Sequence, residues 1–275
     1  METFSAEWLA LREPADHAAR PADLTAGVAR RLTRHARTRA LDLAGGTGSN
    51  IRYLLPRLPY IRRWTLVDHD AALLDVARLK LEPLARQHGV DVDTLRADLM
   101  NLDALPLDDC ALVTASALLD LVSEAWLRAF ARRCGEARVD VLCALSYDGR
   151  MICEPPDPMD DRVRDLVNAH QRTDKGFGPA LGPDAVTMAR SALAGWELAV
   201  EASDWSLDAG AAELQRQLVH GWAGAARAMA PPTEVDDIDR WRVRRRAHID
   251  AGDSRLVVGH LDVAAWLSDG NVASR

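Results

Sequence analysis

Leu41-Asp42-Leu43-Ala44-Gly45-Gly46-Thr47-Gly48-Ser49-Asn50 is the stretch that decides how this chain folds. It begins as an apolar run, passes through a glycine-rich turn and continues into a helical pattern carried by Ile51, Leu54 and Leu55. Glycine lacks a Cβ and tolerates positive φ, so a strand ending in such a turn lets the backbone come close to a ligand. The helix that follows aims its free N–H groups at the same place. The segment reads as a nucleotide-type site at the first strand–helix crossing of an α/β sheet.

A dinucleotide fingerprint requires G-x-G-x-x-G, the third glycine allowing close helix–strand packing. Gly46 and Gly48 fit the first two positions, but Ile51 stands at the third. That leaves NAD as a weak alternative. The acid lies inside the strand, at Asp42. Asp42-x-Ala44-x-Gly46-x-Gly48 resembles the first motif of class I (Rossmann-like) S-adenosylmethionine-dependent methyltransferases, D/E-x-G-x-G-x-G, with Ala44 in place of the first glycine. The resemblance implies that Asp42 and the turn Ala44, Gly45, Gly46, Thr47 and Gly48 face the amino-acid half of the cofactor, S-adenosyl-L-methionine.

Two further runs extend the match. Trp64-Thr65-Leu66-Val67-Asp68 ends in an acid 20 residues after Gly48, followed by His69. An acid at the tip of a second strand can accept hydrogen bonds from both ribose hydroxyls. Leu95-Arg96-Ala97-Asp98-Leu99 ends a third run in another acid, and in the resembled family an acid there meets the adenine amino group. Ser116, after a fourth apolar run, completes the cofactor-binding candidates with Leu99 and His69. Any one of these acids has a plain alternative as a helix cap; three at successive strand ends beside the right glycines do not. The resemblance covers roughly residues 38–147, and the C-terminal strands more weakly.

At 275 residues the chain is sized for one large domain or a domain with a cap. It is 48% hydrophobic, yet no apolar run approaches the 18 or so residues of a membrane span. Met1–Glu7 lacks the basic and apolar regions of a secretory signal, so a cytoplasmic location is expected. Cys110, Cys134, Cys143 and Cys153 contain no C-x-x-C, which predicts buried reduced thiols and no metal site. The net charge of −7 disfavours a general grip on nucleic acid. Two basic runs, 30–39 and 240–246, argue the other way; solvated helix faces are their plainer reading.

The period of the pattern sets the organisation. Residues 1–37 read as helices interrupted at Pro14. Strands are predicted at 39–44, 62–68, 92–96, 111–115 and 137–145, with helices between them. Asp70 and Ser123 are N-cap candidates, Pro83 should shorten or kink the helix after Asp70, and Gly135 should end the helix after Ser123. Strand–helix repeats of about 25 residues imply right-handed crossovers. The expectation is an α/β fold: a doubly wound, mostly parallel seven-stranded sheet forming one domain over 1–275. A lid insertion is expected at 148–182, a sixth strand at 196–202, a helical insertion at 207–252 and a last strand at 255–260. The inserted helices are read as a substrate cap or a homodimer face.

Ligands of open α/β sheets sit at the carboxyl ends of the strands. The loop after the fourth strand, Ala115-Ser116-Ala117-Leu118-Leu119-Asp120-Leu121, has neither the proline pair nor the aromatic of nucleobase amino-methylation, and no cysteine for C5-pyrimidine chemistry. It looks like the loop of small-molecule methyltransferases, which would put Asp120 near the transferred methyl. His170 continues an apolar helical stripe, as a general base or as a half-buried core histidine. Tyr147 is a third catalytic candidate. Arg172 and Lys175 stand in a lid-like loop and could pair with a substrate carboxylate or phosphate. The sequence therefore points to in-line methyl transfer onto a small polar metabolite or natural-product intermediate. The alternatives are an RNA methyltransferase using the two basic runs, or a non-catalytic cofactor-binding subunit.

Overall fold

The computed structural model describes residues 4–268. Strands β1 (Arg39–Leu43), β2 (Arg63–Asp68), β3 (Asp91–Arg96), β4 (Cys110–Ser116), β5 (Asp140–Glu154), β6 (Trp196–Ala202), β7 (Trp205–Leu207) and β8 (Arg255–Leu267) form one sheet. Its order is β3-β2-β1-β4-β5-β8-β6, and β7 pairs with the first part of β8. The first five strands are parallel, whereas β8 runs antiparallel to β5, β6 and β7. The expected seven strands make the main path; the short β7 is an addition that the sequence pattern did not show.

Strand alternation explains the double winding. Leu41, Leu43, Val113, Val141, Cys143 and Ala265 enter one core. Their neighbours Ala40, Leu112, Leu142 and Ala264 enter another. Successive residues point to opposite faces, so buried strands need apolar residues throughout, and both faces need helices. Helices α5 (Glu124–Ala137) and α7 (Ala185–Ala192) cover the first face; α2 (Ala22–Leu32), α3 (Ser49–Leu54) and α4 (Ala71–His88) cover the second. A third core joins the outer half of β5, β7 and β8 to α1 (Ala6–Ala19), α6 (Asp160–Gln171), α8 (Ala212–Met229) and α9 (Val235–Ala251).

Several boundaries differ from the sequence reading. Pro14 and Pro83 lie inside continuous helices. Each removes one backbone hydrogen bond, to Ala10 and Leu79 respectively, and both of those residues are exposed, so water can satisfy the freed carbonyls. Asp70 and Ser123 cap as expected, accepting from Ala72 N at 2.8 Å and Trp126 N at 3.3 Å. Gly135 does not end α5; the left-handed position falls on Arg138, φ 51°. Residues 148–154, expected to open a lid, instead continue β5. The register shifts at Tyr147/Met151, around a Gly149 with φ 90°. β8 runs seven residues further than predicted and reaches Leu267.

The sheet reverses direction between β1 and β4, because the chain builds outward to β3 and then returns to the other side of β1. A crevice opens there beyond the carboxyl ends. Asp42 and Ser116 are therefore brought to opposite sides of it.

Candidate active site

The glycine turn is held by close packing. Gly45 N donates to Val67 O at 3.1 Å, and Gly46 N donates to Asp68 Oδ2 at 2.9 Å. A Cβ on Gly45 would stand 2.5 Å from Leu66 Cγ, so only glycine lets the turn lie on β2. Gly48 takes φ 83° as the residue that opens α3, a conformation that costs a side-chain-bearing residue roughly 1–2 kcal/mol. Ala44, where the resembled motif has glycine, bears that cost itself at φ 50°.

Asp42 is fully buried at the end of β1. Its Oδ1 accepts from Asn50 Nδ2 at 2.7 Å, and its Oδ2 has no hydrogen-bond partner among the described residues. Burial, against the opposing pull of Asn50 and Arg20, raises its carboxyl to about 7. A buried relay runs from it: Arg20 donates to Asn50 Oδ1 and to Asp262 Oδ2, both at 2.8 Å, and Asp262 Oδ1 accepts from Leu145 N at 2.8 Å. Asn50, which bonds the carboxylate, is thus held through Arg20 at the end of α1 and Asp262 of β8.

Asp68 ends β2 and is buried. Its oxygens accept from Gly46 N and from Asp70 N at 2.9 Å, with His69 Nδ1 at 3.2 Å from Oδ1. Asp98 is exposed and accepts from Met100 N, while the Leu99 side chain is buried and its carbonyl accepts from Trp126 Nε1 at 2.7 Å. His69, Arg96, Asp98 and Gly176 line one lobe of the crevice, about 470 Å³. Ala44, Gly46, Ser116 and Arg12 line both of two smaller lobes, about 60 and 100 Å³; Thr47 borders the first, and Asp68, Lys175 and Phe177 the second. Thr47 Oγ1 is buried without a partner among the described residues. Helix α1 covers this region, with Leu9 and Arg12 over the turn.

These features fit S-adenosylmethionine. Hydroxyls suit Asp68, close backbone approach suits a cradle that a Cβ would fill, and the unpartnered Asp42 Oδ2, buried against Gly45, sets a carboxylate behind the turn that favours an ammonium on its far side.

The remaining candidates separate in space. Asp120 is buried; its carbonyl accepts from Gly182 N at 2.9 Å, and its Oδ1 has no hydrogen-bond partner among the described residues. Burial, partly opposed by its own and Tyr147's backbone N–H groups, raises its carboxyl to about 6. Tyr147 is buried with its hydroxyl donating to Asn168 Oδ1 at 2.8 Å, which ties β5 to α6. Arg172 faces away: it pairs with Asp184 at 2.9 Å and donates to Asn168 O. His170 and Lys175 come together, Lys175 Nζ lying 3.3 Å from His170 Nδ1, and Lys175 is only 6% exposed. Both line a cavity of about 910 Å³ walled by α1, α6, α8 and α9. Phe4 and Lys175 line this cavity and the cofactor crevice alike.

Sequence reasoning missed a second group beside the turn, in which Asp16, Trp205 and His260 are buried and Arg12 is half-buried. Arg12 donates to Asp16 at 3.0 Å and lies 5.1 Å over the Trp205 ring, whose Nε1 donates to Asp16 Oδ1 at 3.1 Å. His260 stacks at a tilt on Trp205, and burial lowers it to about 3, so it is neutral at pH 7. Arg12 and Asp16 share the i, i+4 spacing of a common surface pair, and nothing local marks them as buried. Part of each basic run is tied inward, while Arg30, Arg34, Arg240 and Arg246 are exposed. Arg37 donates to Cys110 O and Ala137 O, Arg39 to Thr65 Oγ1, Arg244 pairs with Asp157 at 2.5 Å, and the buried Arg245 meets Pro155 O at 2.6 Å and Asp160 at 3.2 Å. Among the described residues there is no group of three or more His, Cys, Asp or Glu able to hold a metal, and no helix long and apolar enough to cross a membrane.

Comparison with known proteins bears on this geometry. Residues 40–137 match a sequence family described as "Methyltransferase domain". No curated protein sequence matches significantly. Among solved structures, the chain is similar to the YcgJ protein of Bacillus subtilis, at 16% identity and TM-score 0.46, over 90% of this chain and 99% of that one. It is also similar to the cyclopropane synthase MmaA2 of Mycobacterium tuberculosis, at 12% identity and TM-score 0.46, over 88% and 82%.

Proposed function

We propose that the chain is a class I, S-adenosylmethionine-dependent methyltransferase, a reading supported by the methyltransferase-domain match over residues 40–137, and that its acceptor is a small polar molecule bound in the cavity between α1, α6, α8 and α9. One observation carries this reading. Phe4 and Lys175 line both the cavity and the cofactor crevice, so the two spaces adjoin across these side chains. Pockets of a few hundred to about 1,000 Å³ are the usual size for small-molecule ligands.

When bound, the cofactor supplies an electrophilic methyl group on a sulfonium that departs as a neutral thioether. The chain's own work is placement. Asp42 and the backbone of Ala44–Gly48 receive the amino-acid end, Asp68 and His69 the ribose, and Asp98 and Leu99 the base, with Ser116 on the opposite wall. Holding donor and acceptor in line is worth on the order of 7–11 kcal/mol. An acceptor that starts protonated also needs a base. Asp120 is our first candidate: it lies outside the cavity wall, in the loop after β4 whose Ala117, Leu118 and Leu121 line the crevice, and a carboxyl near 6 is ionised at pH 7 and can still take a proton. His170, hydrogen-bonded to Lys175, is the second. Tyr147 and Arg172 hold β5, α6 and the following turn in place.

The inward ties of Arg37, Arg39 and Arg245 leave each basic run fewer cations for a phosphate grip than its sequence suggests, and the net charge of −7 works against one. Calorimetry tests the proposal. S-adenosylhomocysteine should bind, Asp68→Asn should weaken it, and Asp120→Asn should lower turnover while leaving that affinity intact. Binding without turnover over a broad panel of small acceptors would reduce the chain to a cofactor-binding subunit. Salt-sensitive RNA binding lost on charge reversal at Arg244–Arg246 would replace the small-molecule reading.

A further inference from the structure

We infer that the acceptor cavity selects an anion: a carboxylate or phosphate carried on an apolar, aromatic-sized body. The inference rests on the reading above, that this cavity holds the acceptor. Lys175, Arg216, Arg242 and Arg246 line it, against a single acid, Glu213. The chain as a whole has 41 acids and 34 bases, so this wall runs opposite to the trend of the molecule. The cofactor crevice is different, mixing Asp16, Asp68, Asp70 and Asp98 with Arg12, Arg96 and Lys175.

The α9 arginines divide into two sets. Arg244 and Arg245 turn away from the cavity into short bonds with Asp157, Asp160 and Pro155 O. Arg242 and Arg246 line the cavity, and their acids stand at the edge of contact, Asp239 at 3.9 Å and Asp250 at 3.8 Å. Long, solvated pairs of this kind hold a guanidinium only loosely. An entering carboxylate or phosphate offers the planar, two-point geometry that a guanidinium prefers. Arg216 is tied more firmly, to Asp250 at 2.8 Å, and keeps that acid turned toward α8.

The rest of the wall sets the body of the ligand. Phe4, Trp8 and Trp222 line the cavity with Leu218 and Val219, and Phe4 is 39% exposed. Aromatic faces beside cations suit a flat apolar group ending in an anion. A cationic acceptor would meet four like charges there.

The test uses the full chain saturated with S-adenosylhomocysteine and four probes of one shape: 1-naphthoate, 1-naphthyl phosphate, 1-naphthamide and 1-naphthylmethylammonium. Titration should show at least one anion binding about tenfold or more tighter than the amide and the ammonium, since only the anions can engage the arginines. Arg242→Gln with Arg246→Gln should weaken that anion about fivefold or more and leave the amide and S-adenosylhomocysteine unchanged. Arg246 is 62% exposed on its side chain and Arg242 35%, so the variant should fold, and the probe comparison on the unaltered chain needs no variant. Equal affinity across the probes, preference for the amide or ammonium, no binding by any of them, or an anion affinity that ignores both substitutions would each overturn the inference. Failure of S-adenosylhomocysteine to bind at the outset would instead undo the methyl-transfer reading beneath it.

Discussion

Gly45→Ala tests how the cofactor cradle is built. The added Cβ would stand 2.5 Å from Leu66 Cγ and 3.0 Å from Leu66 Cδ1 and Asp42 Oδ2. Carbon atoms pack at about 3.5–4.0 Å, so the overlap is about 1 Å against a fully buried side chain of β2. Gly45 is not in the left-handed region, which makes the cost purely steric. Overpacking of this size costs about 1–3 kcal/mol. Leu66→Ala removes the colliding atoms and leaves a cavity, at about 2–5 kcal/mol on its own. In the double variant the new methyl meets the space that leucine vacated. The combined loss should then fall short of the sum by about 0.5–3 kcal/mol. Urea unfolding of the four proteins reads this coupling. Titration with S-adenosylhomocysteine reads the site: Gly45→Ala should weaken it about tenfold or more, because moving the turn breaks Gly46 N from Asp68, and the double variant should recover most of the loss. Additive stability losses, or a Gly45→Ala protein with normal stability and affinity, would refute the steric account.

Three other outcomes are expected. Asp42 is raised to about 7 in the folded chain, so between about pH 4 and 7 the folded state keeps a proton that the unfolded state releases; its contribution to stability falls as pH rises through that window and is flat on either side. A cofactor ammonium beside it favours the ionised form, so binding at pH 6 should release up to about one proton, seen as a buffer-dependent heat that Asp42→Asn abolishes; no buffer dependence would contradict this. Arg245→Ala should cost about 2–5 kcal/mol by emptying the space of a fully buried side chain and freeing Pro155 O, although Asp160 keeps its bonds from Trp241 Nε1 and Asp157 N, whereas Arg244→Ala, which removes a half-exposed side chain, should cost less; equal unfolding midpoints would show that the burial of the arginine does not separate them. Burial raises the thiols of Cys110, Cys143 and Cys153 to about 12 and that of Cys134 upward as well, so a thiolate-directed disulfide reagent should react with none rapidly in the folded chain and with all four in guanidinium; a fast-reacting native thiol would contradict that.

The sheet and its cofactor end were legible because they are written locally. Asp42 lies inside the first apolar run, Asp68 and Asp98 end the next two, and the glycines lie within six residues of the first of them. The partners that hold these groups were not legible. Arg20 reaches Asp262 across 242 positions, and nothing in either neighbourhood marks them as a buried pair. The extension of β5 was hidden by Asp148-Gly149-Arg150, which read as a loop. The bulge at Gly149 resets the alternation, and Met151 and Cys153 are buried while Arg150, Ile152 and Glu154 are exposed. The prolines misled for a related reason: their cost depends on whether water reaches the freed carbonyl, and that is settled by which way the helix faces. Arg172 and Lys175 sit three residues apart in one loop, yet one turns to solvent and Asp184 while the other turns inward to His170; no periodic signal distinguishes them.

The position of β8 also bears on how the chain emerges during synthesis. It separates β5 from β6, and in chain order it is the last of the described strands. From Glu154 to Arg255 is 255 − 154 = 101 residues, which a ribosome making ~5–20 residues per second covers in about 5–20 s. Through that interval β1 to β5 can pair and collect their helices, while β5 shows an open apolar edge and β6 has no neighbour. The nascent protein is then a half-sheet with an unsealed flank, the kind of surface that recruits chaperones or other unfinished chains. Lesions in β8 would accordingly show first as lost yield in the cell, before any change is measured in the purified fold.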